Sequence, residues 1–265
     1  MPMDGVFTYE AFLQWWGNFF WPLVRIGALM FIMPVLSAKT VPMRFKLIVT
    51  LMLTAAIAPS VELARPIDPF TNEGLWMAME QAGIGLAMGL VFVVVFQAFT
   101  LAGQMVANAM GLGFASMVDP GTGMNSPVIA QLYTIIISLL FVSLNGHLMV
   151  VQMLIDSFVQ MPLNGHFLST LTIKALVDWG SNLFSWAMVI ALPAVTALLL
   201  ANLALGLISR AAPTLNVFSI GFVITIIGGL LLLWWLLPQI VVQFQWFMNQ
   251  SFDFVHQFKL SSEHG

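Results

Sequence analysis

Apolar residues run along this chain in long blocks, with the charges at their edges. No Asp, Glu, Lys or Arg occurs between Glu80 and Asp119, Asp119 and Asp156, Asp178 and Arg210, or Arg210 and Asp253. Crossing hydrocarbon takes about 20 apolar residues at ~1.5 Å rise per residue, so each interval holds one spanning helix with residues left for loops. Two earlier stretches extend the series. Phe12 to Leu36 is apolar apart from Arg25, and Leu47 to Ala64 lies between the stops Pro42 and Pro66. The pattern predicts six long hydrophobic helices. Blocks such as LVFVVVFQAF and ITIIGGLLLLWWLL are continuous, whereas barrel strands alternate over about 10 residues, and a helix satisfies its own backbone in lipid.

Polar residues inside the apolar blocks fall in two patterns. Gln131, Ser138, Asn145 and Gln152 recur every seven residues, which on a single helix forms one slowly drifting stripe. Gln97, Thr100, Gln104 and Asn108 form a second face. Such faces either hydrogen-bond other helices of a bundle or line a wet path, and both readings stand. Gly85, Gly89, Gly103, Ala107 and Gly111, mostly four apart, let a neighbouring helix approach closely.

Between these two faces lies a segment built to bend, from Gly111 to Pro127. Asp119-Pro120-Gly121 suits a turn, and Ser126-Pro127 a helix start in which serine caps and proline takes the first position. Leu112, Phe114, Met117 and Val118 are apolar side chains on a backbone that is not regular throughout. Irregular backbone at membrane depth is tolerated only where protein buries it or it lines a cavity. The segment is therefore either a surface loop outside the membrane or the filling of an internal space. Asp119 fits a turn as well as an intramembrane proton relay.

Composition places the chain in a membrane. Hydrophobic residues make up 60% of the 265 and charged residues 7%, against about a quarter charged in soluble domains. A formal charge of −3, with no basic cluster beyond Lys39, Arg44 and Lys46, argues against nucleic acid as a partner. By the positive-inside bias those three residues put the first connection in the cytoplasm, with Arg210 on the same side if six spans alternate. Nothing basic precedes the first apolar run, so a signal peptide is not expected.

Candidate chemistry is sparse. Without cysteine there are no disulfides or thiolate sites, and His147, His166, His256 and His264 are too scattered for a metal centre. Gly111-x-Gly113 is a fragment of a dinucleotide fingerprint that follows no strand. No cofactor is expected. Ser116, Ser126 and His147 keep an intramembrane hydrolase as one rival, though the serines lack a nucleophile-elbow context, and Asp119 keeps a proton-coupled transporter as another.

GLGFASMVDPGTGMNSPVIAQ, from Gly111 to Gln131, resembles the central signature of the FliR family of flagellar type III export-gate proteins. WPLVRIGALMFIMPVLSAKTVPMRFK, with Arg25, Pro34 and Pro42, and LALGLISRAAPTLNVFSIGF, with Arg210, Pro213 and Asn216, match the family pattern in the same order. The resemblance spans nearly the whole chain and extends to the related SctT proteins of virulence secretion systems. It implies an all-α membrane protein of about six long helices arranged as hairpins. A FliP-like part, residues 1–172, would be followed by a FliQ-like hairpin and tail, residues 173–265, in one integral unit. It also implies a non-enzymatic subunit of an inner-membrane gate at the flagellar basal body. The implied partners are FliP, FliQ, FlhB, membrane lipid and the unfolded flagellar proteins in transit. The family's plug falls here on the segment 111–127, so the implied gating residues are Gly111, Leu112, Gly113, Phe114, Met117, Val118, Asp119, Pro120, Gly121, Gly123 and Met124.

Overall fold

Long apolar blocks fold as helices because each helix closes its own hydrogen bonds where no water is present. The computed structural model describes residues 9–37, 41–61, 67–113, 127–163, 170–211 and 217–262, and no strand occurs among them. Along the chain lie α1 (Tyr9–Ile32), α2 (Pro34–Ser37), α3 (Met43–Ile57, continued by a 3-10 turn Ala58–Ser60) and α4 (Asn72–Ala109). Then follow α5 (Val128–Ser143), α6 (Gly146–Gln160), α7 (Thr170–Gly180), α8 (Asn182–Ala211) and α9 (Val217–Ser262). The chain is an all-α membrane protein.

Four described stretches are long and apolar enough to cross a membrane: Met43–Ser60, Asn72–Ala109, Thr170–Ala211 and Gly221–His256. The broken pair α5 and α6 makes a fifth if counted as one span. The expected six thus become four or five, for two local reasons. The first block breaks at Met33 and leaves Trp16–Ile32 as a shorter apolar helix. The block between Asp119 and Asp156 breaks at Leu144, after which Asn145 turns into the left-handed region at φ 56°.

Helix length separates these elements further. At ~1.5 Å per residue the 18 residues of Met43–Ser60 reach about 27 Å, close to the ~30 Å hydrocarbon core. By the same rise the 38 residues of α4 reach about 57 Å and the 46 of α9 about 69 Å. Both exceed the ~30 Å hydrocarbon core, so upright they extend beyond it.

The chain divides into two compact units: Met1–Val93 with Asn145–Trp179 and Ser251–Gly265, and Val94–Leu144 with Gly180–Gln250. In the first, α4 lies hard against α1. A Cβ on Gly85 would fall on the carbonyl oxygen of Arg25, and one on Gly89 on Cγ2 of Ile32, so the small residues bring α1 and α4 of this same chain together. Stacked Trp179 and Phe254, 4.2 Å apart, and the Trp179 Nε1 bond to the Val91 carbonyl at 3.4 Å fasten α7 and the end of α9 here.

Helix α3 turns the soluble pattern inside out. Thr50, Thr54 and Ile57 are buried, while Met43, Phe45, Leu47, Ile48, Leu51 and Met52 are exposed. The threonines bury cheaply because each hydroxyl donates to the carbonyl one turn back, Thr50 to Lys46 at 2.8 Å and Thr54 to Thr50 at 2.7 Å. The outward apolar face suits lipid or another protein.

Arg25, the charge that interrupts the first apolar block, lies inside α1. It is fully buried. Its Nε donates to Gln81 Oε1 at 2.8 Å, Nη1 to the Ser157 carbonyl at 3.0 Å and Oγ at 3.2 Å, and Nη2 to the Met161 carbonyl at 2.8 Å. The guanidinium also lies 4.3 Å from the centre of the Phe158 ring. Ser157 lies in the last turn of α6 and Met161 is its C-cap residue, whose amide already reaches the Ser157 carbonyl at 2.9 Å, so one rigid fork ties α1, α4 and the end of α6 together.

The second unit is held by aromatic rings. Phe99 meets Phe244 at 5.9 Å and Phe247 at 5.6 Å, Phe96 meets Phe141 at 5.7 Å, and Trp186 stacks on Phe247 at 4.4 Å. Rings at these separations gain beyond their buried area. The apolar window of α4 is 61% buried, against 22% for those of Thr170–Ala211 and Gly221–His256, so α8 and α9 keep open apolar faces.

Candidate functional site

The second unit contains the point where α4 ends and the glycine-rich segment begins. Gly111 has φ +83°, a conformation that costs glycine nothing. The Leu112 amide donates to the Ala107 carbonyl at 3.0 Å and the Gly111 amide to the Asn108 carbonyl at 3.0 Å. Those paired bonds make a Schellman cap, in which a left-handed residue closes the helix on itself. Gly111 thus stops α4 and turns the chain, where the sequence suggested only pliability.

A capped helix still leaves carbonyls without donors. Here Asn202 of α8 donates through Nδ2 to the Ala109 carbonyl at 3.0 Å. Thr225 of α9 places its hydroxyl 3.2 Å from the Met110 carbonyl and 3.0 Å from that of its own Phe222, so its one proton is shared between two acceptors. The Met110 side chain is fully buried against Gly229. A Cβ on Gly229 would sit 2.6–2.7 Å from Met110 Cγ, Cε and Sδ. Beside these contacts opens a cavity of about 350 Å³, lined among others by Asn108, Gly111, Asn202, Ser209, Phe222 and Thr225.

The two polar faces read from the sequence meet in part. Gly103 lets α5 approach until a Cβ would stand 2.7 Å from Ala130 Cα. Next to that crossing, Thr100 Oγ1 and Thr134 Oγ1 are 3.1 Å apart, each also bonded to the carbonyl one turn back. Gln97 and Asn108 are exposed beside them and Gln104 half-buried; on α5 Gln131 is exposed and Ser138 half-buried, donating to the Thr134 carbonyl at 2.7 Å. The second stripe stops there. Asn145 is the exposed left-handed residue that breaks the helix, and Gln152, on α6, donates to Asp156 Oδ1 one turn away at 2.9 Å. The seven-residue recurrence therefore does not mark one continuous face. Thr134 was missed, although it lies on the same helical face as Gln131 and Ser138.

Helix α5 begins at Val128 with Pro127 as its cap residue, at φ −58° and ψ 147°. The expected start is thus displaced by one residue, because an extended ψ keeps proline just outside the helix. Of the implied gating residues, Gly111, Leu112 and Gly113 are described. Phe114, Met117, Val118, Asp119, Pro120, Gly121, Gly123 and Met124 lie outside the described residues, as do Ser116, Ser126 and His166. Among the described residues no group of three His, Cys, Asp or Glu could hold a metal ion. What the arrangement offers is mechanical: a helix end fastened from two sides, opening onto a pair of polar faces.

The sequence model described as bacterial export proteins, family 1, matches residues 16–251 of this chain. The flagellar biosynthetic protein FliR of Escherichia coli (strain K12) is 41% identical over 233 residues, covering 88% of this chain and 89% of the relative. FliR of Pectobacterium carotovorum is 36% identical over 91% of this chain and 92% of its own. FliR of Aquifex aeolicus is 27% identical over 97% and 99%.

Proposed function

The chain belongs to the bacterial export proteins, family 1, and from that membership we propose that it serves flagellar protein export as a non-enzymatic subunit of the type III gate. Its place is the bacterial inner membrane at the flagellar basal body. Its partners are FliP, FliQ and FlhB, with residues 1–172 taking the FliP-like role and residues 173–265 that of the FliQ-like hairpin and tail.

The observation that carries this reading is the length of uncovered apolar surface. Large exposed apolar side chains run from Phe184 to Ile208 on α8 and from Phe222 to Trp246 on α9. Each row is about 36 Å at ~1.5 Å per residue, longer than the ~30 Å hydrocarbon core, and lies on a helix longer still. Upright rows of that length outreach the hydrocarbon core, and this supports neighbouring subunits as their cover.

Gating falls to the segment 111–127, which closes the passage with Phe114, Met117 and Val118 and turns at Asp119, Pro120 and Gly121. Apolar side chains in a narrow passage exclude water, so ions are stopped by dewetting while a polypeptide displaces the seal. Methionine's flexible thioether adapts to whatever chain passes. Gln97, Gln104, Asn108 and Gln131 supply the wet wall beside it.

Two measurements test the reading. Co-expression with FliP and FliQ followed by intact-mass measurement is expected to give one hetero-oligomer containing this chain; a stable monomer or homo-oligomer overturns the subunit role. Deleting Leu112 to Gly123 is expected to leave that complex assembled but leaky to ions, and an unchanged conductance overturns the plug.

A further inference from the structure

The end of α4 is held by side chains that no amphipathic pattern required. Asn202 stands in the run ALLLANLALGL and Thr225 in VITIIGG, each a lone polar residue among apolar neighbours. A polar side chain in such a setting is costly unless it finds a partner. Both find one on the same two residues, the Ala109 carbonyl for Asn202 and the Met110 carbonyl for Thr225. Every other carbonyl of that last turn is already taken: Val106 by the Met110 amide, Ala107 by Leu112 and Asn108 by Gly111. Asn202 and Thr225 therefore answer the two acceptors that the cap leaves over. Met110, seated on Gly229 of α9, makes the third tie.

Resting on the gate reading above, we infer that Asn202 and Thr225 are positioning residues for the exit of α4, through which α8 and α9 set the direction in which the chain leaves that helix. The Schellman cap fixes the turn relative to α4; the two side chains fix it relative to α8 and α9. Without them the turn keeps its internal bonds but loses its register on the hairpin. The neighbouring 350 Å³ cavity gives the released end room to move.

The chain has no cysteine, so Leu112→Cys supplies its single attachment point for a nitroxide label. The label is read by electron paramagnetic resonance in the protein purified from membranes with the subunits it carries, their own cysteines replaced by serine. In N202A/T225V the mobile spectral component is expected to rise severalfold over the parent, as loss of both tethers allows. T225S, which keeps the hydroxyl, is expected to match the parent, and a label at Gln152→Cys to remain unchanged in every variant. T225V alone replaces the double variant if that fails to accumulate, with a smaller rise expected. A label at position 112 as immobile without the tethers as with them overturns the inference. So does equal loosening at position 152, since the pair would then be general packing. Label mobility is read whether or not the deletion of Leu112 to Gly123 leaks, so the fate of the plug and that of the tethers are separable.

Discussion

Replacing Arg25 by methionine removes the fork that joins α1, α4 and α6. The cost follows from which acceptors are left without a donor. The Ser157 carbonyl still receives the Met161 amide at 2.9 Å, and Ser157 Oγ still donates to the Leu154 carbonyl at 2.7 Å, so neither is orphaned. Gln81 Oε1 and the Met161 carbonyl lose the donors at 2.8 Å that the fork supplied. At about 1–3 kcal/mol for each buried acceptor left unsatisfied, the loss is about 2–6 kcal/mol. Methionine fills much of the vacated space and relieves the cost of burying a cation, which holds the net loss toward the middle of that range. For a chain of this size about 4 kcal/mol lowers the unfolding midpoint by roughly 10 °C. The nine tryptophans, Trp21 and Trp179 buried in the same unit, give an intrinsic fluorescence signal for a thermal ramp on the purified protein. Arg44→Met, which removes an exposed charge, is the control and is expected to unfold with the parent. An Arg25→Met protein unfolding within about 2 °C of the parent would refute the clamp, because its acceptors would then have found water or other donors.

Two further substitutions test the close approaches and the cap. Gly85→Ala puts a methyl on the Arg25 carbonyl and 2.9 Å from Ala28 Cβ; backbone has to shift, and a loss of about 1–3 kcal/mol is expected, read as lower thermal stability of the purified protein. Gly111→Ala brings the new methyl only into ordinary contact with the Phe222 ring, 3.5 Å away, so its cost is conformational. Holding alanine at φ +83° costs about 1–2 kcal/mol, and hydrogen exchange at the Gly111 and Leu112 amides is expected to quicken while the aromatic core of the second unit is unchanged.

Much of the architecture was written locally. Blocks without charge between Glu80 and Arg210 had to become helices because hydrocarbon offers the backbone no other partner. Gly111 and Pro127 bound the central segment within one residue of where their backbone preferences put them. The family was also legible, since its signature is a run of residues in order. One error was avoidable: Asn145-Gly146 is a turn dipeptide, and it breaks the helix that the seven-residue recurrence seemed to continue.

By itself, then, the sequence determined that this is a helical membrane protein of the export family, that its central segment falls between Gly111 and Pro127, and which glycines of α4 let helices meet. Tertiary structure alone decided what the lone polar residues are for. Arg25 finds acceptors 56 to 136 residues away, and Asn202 and Thr225 reach carbonyls 93 and 115 residues away. The reason is physical: most of those acceptors are backbone carbonyls, which every residue carries alike. No pattern of side chains marks the ones that helix geometry leaves unpaired until the chain has folded around them.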